Sequence, residues 1–487
     1  MKLGAEKPRL RQYPTVSSNN KTKIMFNLTI NNFRSFQEQD FNFSRINILI
    51  GENSGGKSSL IKFLLACKQT LKSQVESNFK LKGILIDLGN YEEMIYQKES
   101  NRDLKFKFSN TVKYAQYFTD NYEHYIDFDE DEKKRKSLLK IIEKYINEET
   151  SVEFTINKNL SIHNSIKTIF SNSKAGTLEI IPQLRSDNED FFNEMKCDLV
   201  FNFKKVKGVV KNVTFYKEGF FSIINANLKK ILTEQHPEHK DYLFYTIAYL
   251  LLYQNFLIIN IDKLRYVNPI LGSSPKRFYF QEDRKSSYNI TDIEKFINII
   301  GDPFLTKKES KERIDTLNKV IKKLGIAEKI EIKKNEEMSI LSINVKTKEF
   351  WSNLTDVGYG VSLQLPILFQ AILSENYTNG QTLLIEQPEV HLHPKLQANF
   401  IETLLSIGNK NSYFIETHSE HMVRKLQVLV KNKTFGITNE DVRIYYFKRG
   451  ENKFEITEHK ITEDGLLDHI FPNGFYDTSY NLAKDLI

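Results

Sequence analysis

The sequence predicts an α/β fold in which a nucleotide-binding head is assembled from N-terminal and C-terminal lobes. A mixed α/β insertion separates them, and no long coiled coil is expected. Three observations predict this. Gly51-Glu52-Asn53-Ser54-Gly55-Gly56-Lys57-Ser58 is a full match to the phosphate-binding pattern G-x-x-x-x-G-K-[ST]. Two short apolar runs far downstream, 382–386 and 413–416, read as buried strands, the first ending in Glu386 and the second followed by Thr417-His418-Ser419. Between these segments strand-like and helix-like periods alternate, and no heptad is sustained.

The flanks of the glycine-rich run suit it. Ile46-Asn47-Ile48-Leu49-Ile50 is apolar and β-branched, as a buried strand would be. Ser59 and the residues to Ala66 carry apolar side chains at helical spacing. A strand, a glycine turn and a helix N-terminus together make an anion cradle: backbone N–H groups point inward and the helix adds partial positive charge. Asn53, Ser54, Gly55, Gly56 and Ser59 would line that cradle. Lys57 would reach the β- and γ-phosphates of a nucleoside triphosphate, ATP by expectation, and the Ser58 hydroxyl would sit on Mg²⁺.

The remaining elements follow in order. Residues 1–24 read as disordered or added, and the first lobe as 25–110, beginning with a strand near Phe26. The stretch 85–91 looks like a strand and turn of that lobe. An insertion is expected over 111–340. There, residues 138–146 suggest an amphipathic helix, Val152, Phe154 and Ile156 alternate as in a strand, and 198–222 is rich in strand formers. Ile314, Leu317, Ile321 and Leu324 mark a helix ended by Gly325. From 341 to 487 βα alternation resumes. Residues 242–261 approach the length of a membrane span, but Thr246, Gln254 and Asn255 interrupt them, so a buried helix running into a strand is expected and no membrane contact.

Composition narrows the class. With 40% hydrophobic and 27% charged residues, the chain reads as an ordinary globular protein. A net charge of +7 over 487 residues permits a local DNA or RNA contact without arguing for one. Cys67 and Cys197 offer neither a disulfide framework nor metal-ligand spacing, which fits a reducing cytoplasm. The basic run 133–136 follows acidic residues and reads as a solvated helix start. His391 and His393 read as structural. No cluster in the chain identifies a nuclease.

The second half of the site would come from the C-terminal lobe. Glu386 ends its strand where nucleotide-binding enzymes of this kind keep the carboxylate that holds Mg²⁺ through water. His418, at the end of a neighbouring strand, could reach the γ-phosphate. Gly358, Gly360 and Ser362 open a further helix and form a second anion-binding N-terminus.

In this order, with the run Glu386-Gln387-Pro388-Glu389-Val390-His391-Leu392-His393-Pro394, the chain resembles the ABC-type ATPase heads of the RecF, SMC and OLD group. More narrowly, it is similar to prokaryotic ATPases with an EQPExHLHP signature and a C-terminal Asp-Gly to Phe-Pro-x-Gly-Phe element, here 464–475. The resemblance covers roughly 26–110 and 255–487. It implies an ATPase that oligomerises through its heads, the Gly358–Ser362 loop of one copy closing over ATP held by another. It also implies that Arg34, in Asn31-Asn32-Phe33-Arg34-Ser35-Phe36, approaches the nucleotide. The strand at 264–268, with Lys276 and Arg277 in the basic loop after it, resembles one these heads often carry; the two basic residues fit a nucleic-acid or a subunit contact equally. Members include the ATPase subunits of anti-phage systems such as Septu and PARIS, so the implied partner is a nuclease effector. A DNA-repair ATPase of the RecF kind, gripping duplex DNA as an ATP-closed dimer, is the alternative.

One position departs from the pattern. Such heads place a Glu directly after the Mg²⁺ carboxylate as general base; here it is Gln387, which can orient water but cannot take its proton. Slow hydrolysis, use of Glu389 or another base, and loss of turnover all remain open at this point.

Overall fold

Alternating apolar residues build a first sheet. In this computed structural model, which describes residues 26–71, 79–110, 145, 148–158, 166–183, 194–218, 221–224, 228–268, 274–280, 290–300, 307–335, 337–450, 454–469, 471 and 484–485, β1 (Asn27–Phe33) and β2 (Phe36–Asn42) form a hairpin. The chain then leaves that sheet as β3 (Ile46–Gly51), buried along its whole length, and turns into α1 (Lys57–Leu71). After the short α2 (Tyr91–Met94) it returns through β4 (Leu104–Asn110), β5 (Thr150–Ile156), β6 (Lys167–Asn172), β7 (Gly176–Pro182), β8 (Glu194–Phe203), β9 (Lys207–Glu218) and β10 (Phe221–Ile224). These strands form one nine-stranded antiparallel sheet ordered β10-β9-β8-β7-β6-β5-β4-β1-β2. Asn110 pairs with Thr150, so the lobe boundary expected at 110 falls inside a continuous sheet.

Residues 85–91 do not form the expected strand. Asp87 makes a single bridge to Lys82, and Asn90 then caps α2. The Asn90 Oδ1 accepts the Glu93 N–H, and Glu93 Oε2 accepts the Asn90 N–H, both at 2.9 Å. Asn followed three residues later by Glu is a capping box, and that local signal outweighs the apolar run before it. The expected helix at 138–146 and the basic run 133–136 lie outside the described residues, apart from Tyr145.

The chain continues through α3 (Leu228–Gln235) and α4 (Lys240–Asp262) into β11 (Leu264–Val267). By length and composition α4 could cross a membrane, yet most of it is buried inside the protein. Thr246 Oγ1 and Asn260 Nδ2 donate to the carbonyls of Tyr242 and Phe256, which removes the cost of burying those polar groups. Next come β12 (Tyr279–Phe280), α5 (Ile293–Ile300) and α6 (Lys307–Leu324), the last ended by Gly325 at φ +88°. A small sheet orders β12, β14 (Ile340–Thr347) and β13 (Lys329–Asn335), with β15 (Phe350–Asn353) also on β14. The C-terminal part holds α7 (Tyr359–Glu375), β16 (Thr382–Glu386), α8 (Pro394–Ser406), β17 (Ser412–Glu416), α9 (Glu420–Lys431), β18 (Val442–Arg449) and β19 (Phe454–His459).

A six-stranded sheet ordered β11-β16-β17-β3-β18-β19 brings the two lobes together. Its first five strands are parallel and β19 runs antiparallel at the edge. β3, from the start of the chain, lies between β17 and β18 from its end. Ile46, Ile48 and Ile50 face one hydrophobic core, while Leu49 faces a second that includes the nine-stranded sheet. Cover on both faces explains a strand without polar alternation. β11, from within the expected insertion, forms the other edge of this sheet. The carboxyl ends of β3, β16 and β17 therefore open onto one crevice, where ligands bind in open α/β sheets.

Candidate functional site

Two glycines shape the loop after β3. Gly51 has φ +126°, and a Cβ there would lie 2.1 Å from the Phe447 carbonyl oxygen. Gly56 has φ +103°, with Ser35 Oγ only 2.4 Å from where its Cβ would be. Any larger residue would force the loop off β18 or off the β1–β2 hairpin. Asn53 and Ser54 sit at the exposed tip, Gly55 is buried, and Ser59 N–H donates to Gly56 O at 3.0 Å. The first turn of α1 has no acidic residue to compete for an anion. Lys57 is 4% exposed, and its Nζ donates to Gly51 O (3.0 Å) and Glu52 O (2.7 Å). Burial pushes the pKa of its ammonium down, against the charges of Glu416, Glu389 and Glu52.

The acids come from neighbouring strands. Glu386 and Glu416 stand opposite each other in the β16–β17 register. The hydroxyl of Tyr266 donates to Glu386 Oε1 at 3.2 Å, and Asn268 Nδ2 to Oε2 at 2.7 Å. Burial, then the charge of Glu416, raises the Glu386 carboxyl to about 7. Ser58, expected with Glu386 on Mg²⁺, donates its Oγ–H to Glu416 Oε1 at 2.9 Å. Glu416 is the site residue that sequence reasoning missed. The available signal was an acid closing an apolar strand just before the histidine. Its neighbour in space, Ser58, is distant in the chain.

Gln387 begins a strained loop, with φ +42° and its N–H donating to Glu416 O at 2.8 Å. Glu389 is 7% exposed, and its Oε1 accepts the His418 N–H at 2.6 Å. The position expected for a base is thus neutral, while the next acid after it, Glu389, is tied to the backbone of His418. Burial raises the Glu389 carboxyl, opposed by that N–H. Partial burial, then Lys57, pushes the His418 imidazole below its ordinary pKa, so it stays neutral near pH 7. Gln364 Nε2 donates to Pro388 O (2.6 Å), while Gln397 holds Leu392 O (2.9 Å) and the Ser419 hydroxyl (2.6 Å). His393 caps α8, accepting the Lys395 N–H, and the exposed His391 lies beside Tyr359, ring centroids 5.7 Å apart. Among the described residues no cluster of three or more His, Cys, Asp or Glu could hold a metal.

Arg34, at φ +46°, is half-buried next to the Ser35 that packs on Gly56, and its N–H donates to Met94 O at 2.7 Å. Gly358 caps α7 with open space around its Cβ position. A Cβ on Gly360 would lie 2.9 Å from His391 O, and Ser362 Oγ donates to Tyr359 O at 2.8 Å. Arg277 reaches Asp356 at 2.7 Å, which fastens the basic loop to this helix start, and Lys276 pairs with Glu294. Among the described residues no hydrogen bond, ion pair or ring contact joins 355–362 to 51–58 within one copy of the chain. Cys67 and Cys197 are both buried. Of the C-terminal element, Gly465 O accepts from Gln427 Nε2 at 2.9 Å and Phe471 stacks on Tyr446, while 472–475 lie outside the described residues.

A family model described as an AAA ATPase domain matches residues 25–423, which contain the loop, both acids and the histidine. The chain belongs to that family. A second model, for a protein of unknown function (DUF3696), matches residues 437–486 of this AAA ATPase. No curated protein matches its sequence. Solved structures similar to it include the SmcHead bound to the C-winged helix domain of ScpA, at 11% identity and TM-score 0.41, covering 89% of this chain and 97% of that one. The SMC head domain from Thermotoga maritima is similar at 11% and 0.35, covering 88% and 97%. A third is the Smc head domain with an extended coiled coil, bound to the C-terminal domain of ScpA derived from Pyrococcus furiosus, at 9% and 0.39, covering 95% and 100%.

Proposed function

We propose that this ATPase is a slow, nucleotide-gated switch of the ABC type that closes head to head with a second copy and controls a nuclease partner in prokaryotic anti-phage defence. One observation carries the slow-switch reading: the residue after Glu386 is the neutral Gln387, and Glu389 is engaged with the His418 N–H at 2.6 Å. ATP phosphates would lie on the N–H groups of 52–58, with Lys57 turning from the loop carbonyls to the β- and γ-oxygens. A neutral His418 would donate to or accept from the γ-phosphate environment and transmit its loss to Glu389 through their shared hydrogen bond. Ser58, Glu386 and Glu416 offer only oxygen donors, and one buried carboxylate oxygen, Glu416 Oε2, has no hydrogen-bond partner, which fits Mg²⁺. Bound there, Mg²⁺ would neutralise phosphate charge as the terminal bond breaks.

Gln387 can orient the attacking water but cannot accept its proton. Replacing Gln387 with Glu should therefore raise kcat, measured as phosphate release, by roughly 10²-fold. Wild-type turnover well above ~1 s⁻¹ would sink the slow-switch reading. The cytoplasmic setting rests on the cysteine content, and the partner and the defence role rest on the resemblance carried by 386–394. A small nuclease reading frame beside the gene supports them, whereas DNA-stimulated hydrolysis with steep salt dependence favours the RecF-like alternative.

A further inference from the structure

We infer that Glu416 is the second carboxylate of the divalent-cation site begun by Ser58 and Glu386. The inference rests on the reading of this crevice as an ATP site and adds a ligand from β17, the strand lying between those of the P-loop and Glu386. Glu416 is 4% exposed and has one committed oxygen, Oε1, which accepts the Ser58 hydroxyl at 2.9 Å. Its other oxygen, Oε2, is buried with no hydrogen-bond partner. Leaving a carboxylate oxygen out of water without a donor is costly, more so when a second carboxylate stands opposite in register. Nearby, Lys57 gives hydrogen bonds to Gly51 O and Glu52 O instead. A hard divalent cation bound between Ser58, Glu386 and Glu416 removes both costs at once, because it accepts oxygen ligands from all three and offsets both negative charges.

A purely structural Glu416 would only hold the Ser58 hydroxyl, a task the amide oxygen of Gln performs as well. The test compares the affinity of the full chain for a fluorescent, non-hydrolysable ATP analogue in Mg²⁺ and in EDTA. Wild type should bind more tightly in Mg²⁺. Glu416→Gln should keep the EDTA affinity and lose roughly tenfold or more of the Mg²⁺ gain. Glu416→Asp keeps the charge on a shorter arm and should lose part of the gain, which decides the matter if the Gln variant does not fold. An undiminished Mg²⁺ gain in the folded variant overturns the assignment, even where turnover falls, since that pattern would mark a proton-transfer role. If wild type binds no analogue in either buffer, the nucleotide-site reading fails and the assignment falls with it.

Discussion

Glu386 couples the chemistry of the crevice to the stability of the fold. Its folded carboxyl sits at about 7 because of burial and then Glu416, whereas an unfolded glutamate titrates near ~4.3. Between those values the folded state holds a proton that the unfolded chain has released. Stability from this group is therefore present at low pH and is lost as pH rises towards 7. Glu389 and Glu416, also raised, slope the same way, and His418, lowered, slopes against them. Comparing wild type with Glu386→Gln subtracts those shared contributions. In EDTA the melting temperature of the variant should match wild type at pH ~4, exceed it increasingly as pH rises to about 7, and keep a steady lead above that. A gap that stays constant between those two values by differential scanning fluorimetry would mean that Glu386 is not ionising in this range. At this scale Lys57, Glu386 and His418 were legible, since each ends or follows a recognisable local pattern. Glu416 as the partner of Ser58 was not, because that contact depends on the order β16-β17-β3, which no local pattern encodes.

β3 shows what an element requires beyond its own propensity. It is the strand on which the P-loop hangs, and a single polar residue, Asn47, fixes its entry. Asn47 is fully buried; its Oδ1 accepts the Ser44 N–H at 2.9 Å, and its Nδ2 donates to Ser44 O (2.6 Å) and Tyr413 O (3.2 Å). It thus closes the turn and clamps β3 to β17. Asn47→Leu keeps the size but leaves those buried groups unpaired, and it should cost about 1–3 kcal/mol, read as a lower denaturant midpoint. Nucleotide affinity should fall with it if β3 sets the loop. Periodicity was informative for such elements: it gave β3, α6 up to Gly325, and α4 leading into β11. It failed at 85–91, where the Asn90–Glu93 capping box decides the local structure. It also divided the nine-stranded sheet at 110, since pairing between Asn110 and Thr150 bridges a long excursion of the chain.

At the scale of the whole molecule, β3 lies between β17 and β18, so neither lobe has the complete sheet alone. The Gly358–Ser362 helix start, by contrast, makes no hydrogen bond to the P-loop of its own chain, and its glycines differ in what they serve. Gly360 is required by close approach to His391 O, at 2.9 Å from the Cβ position. Gly358 has φ −58° and nothing within 4 Å of its Cβ position, so the protomer has room for a side chain there. On the proposed head-to-head closure, that open space would admit the triphosphate held by a second copy. Gly358→Asp tests this cleanly, because Asp is itself a favourable N-cap and should leave the melting temperature of the free protein unchanged or slightly higher. Its charge would face the γ-phosphate in the closed pair. Mass photometry with ATP and Mg²⁺ should show wild type moving from one copy to two and the variant remaining single. If Gly358→Asp still doubles its mass with ATP, closure over this helix start is wrong, and the contact between copies must lie on another face.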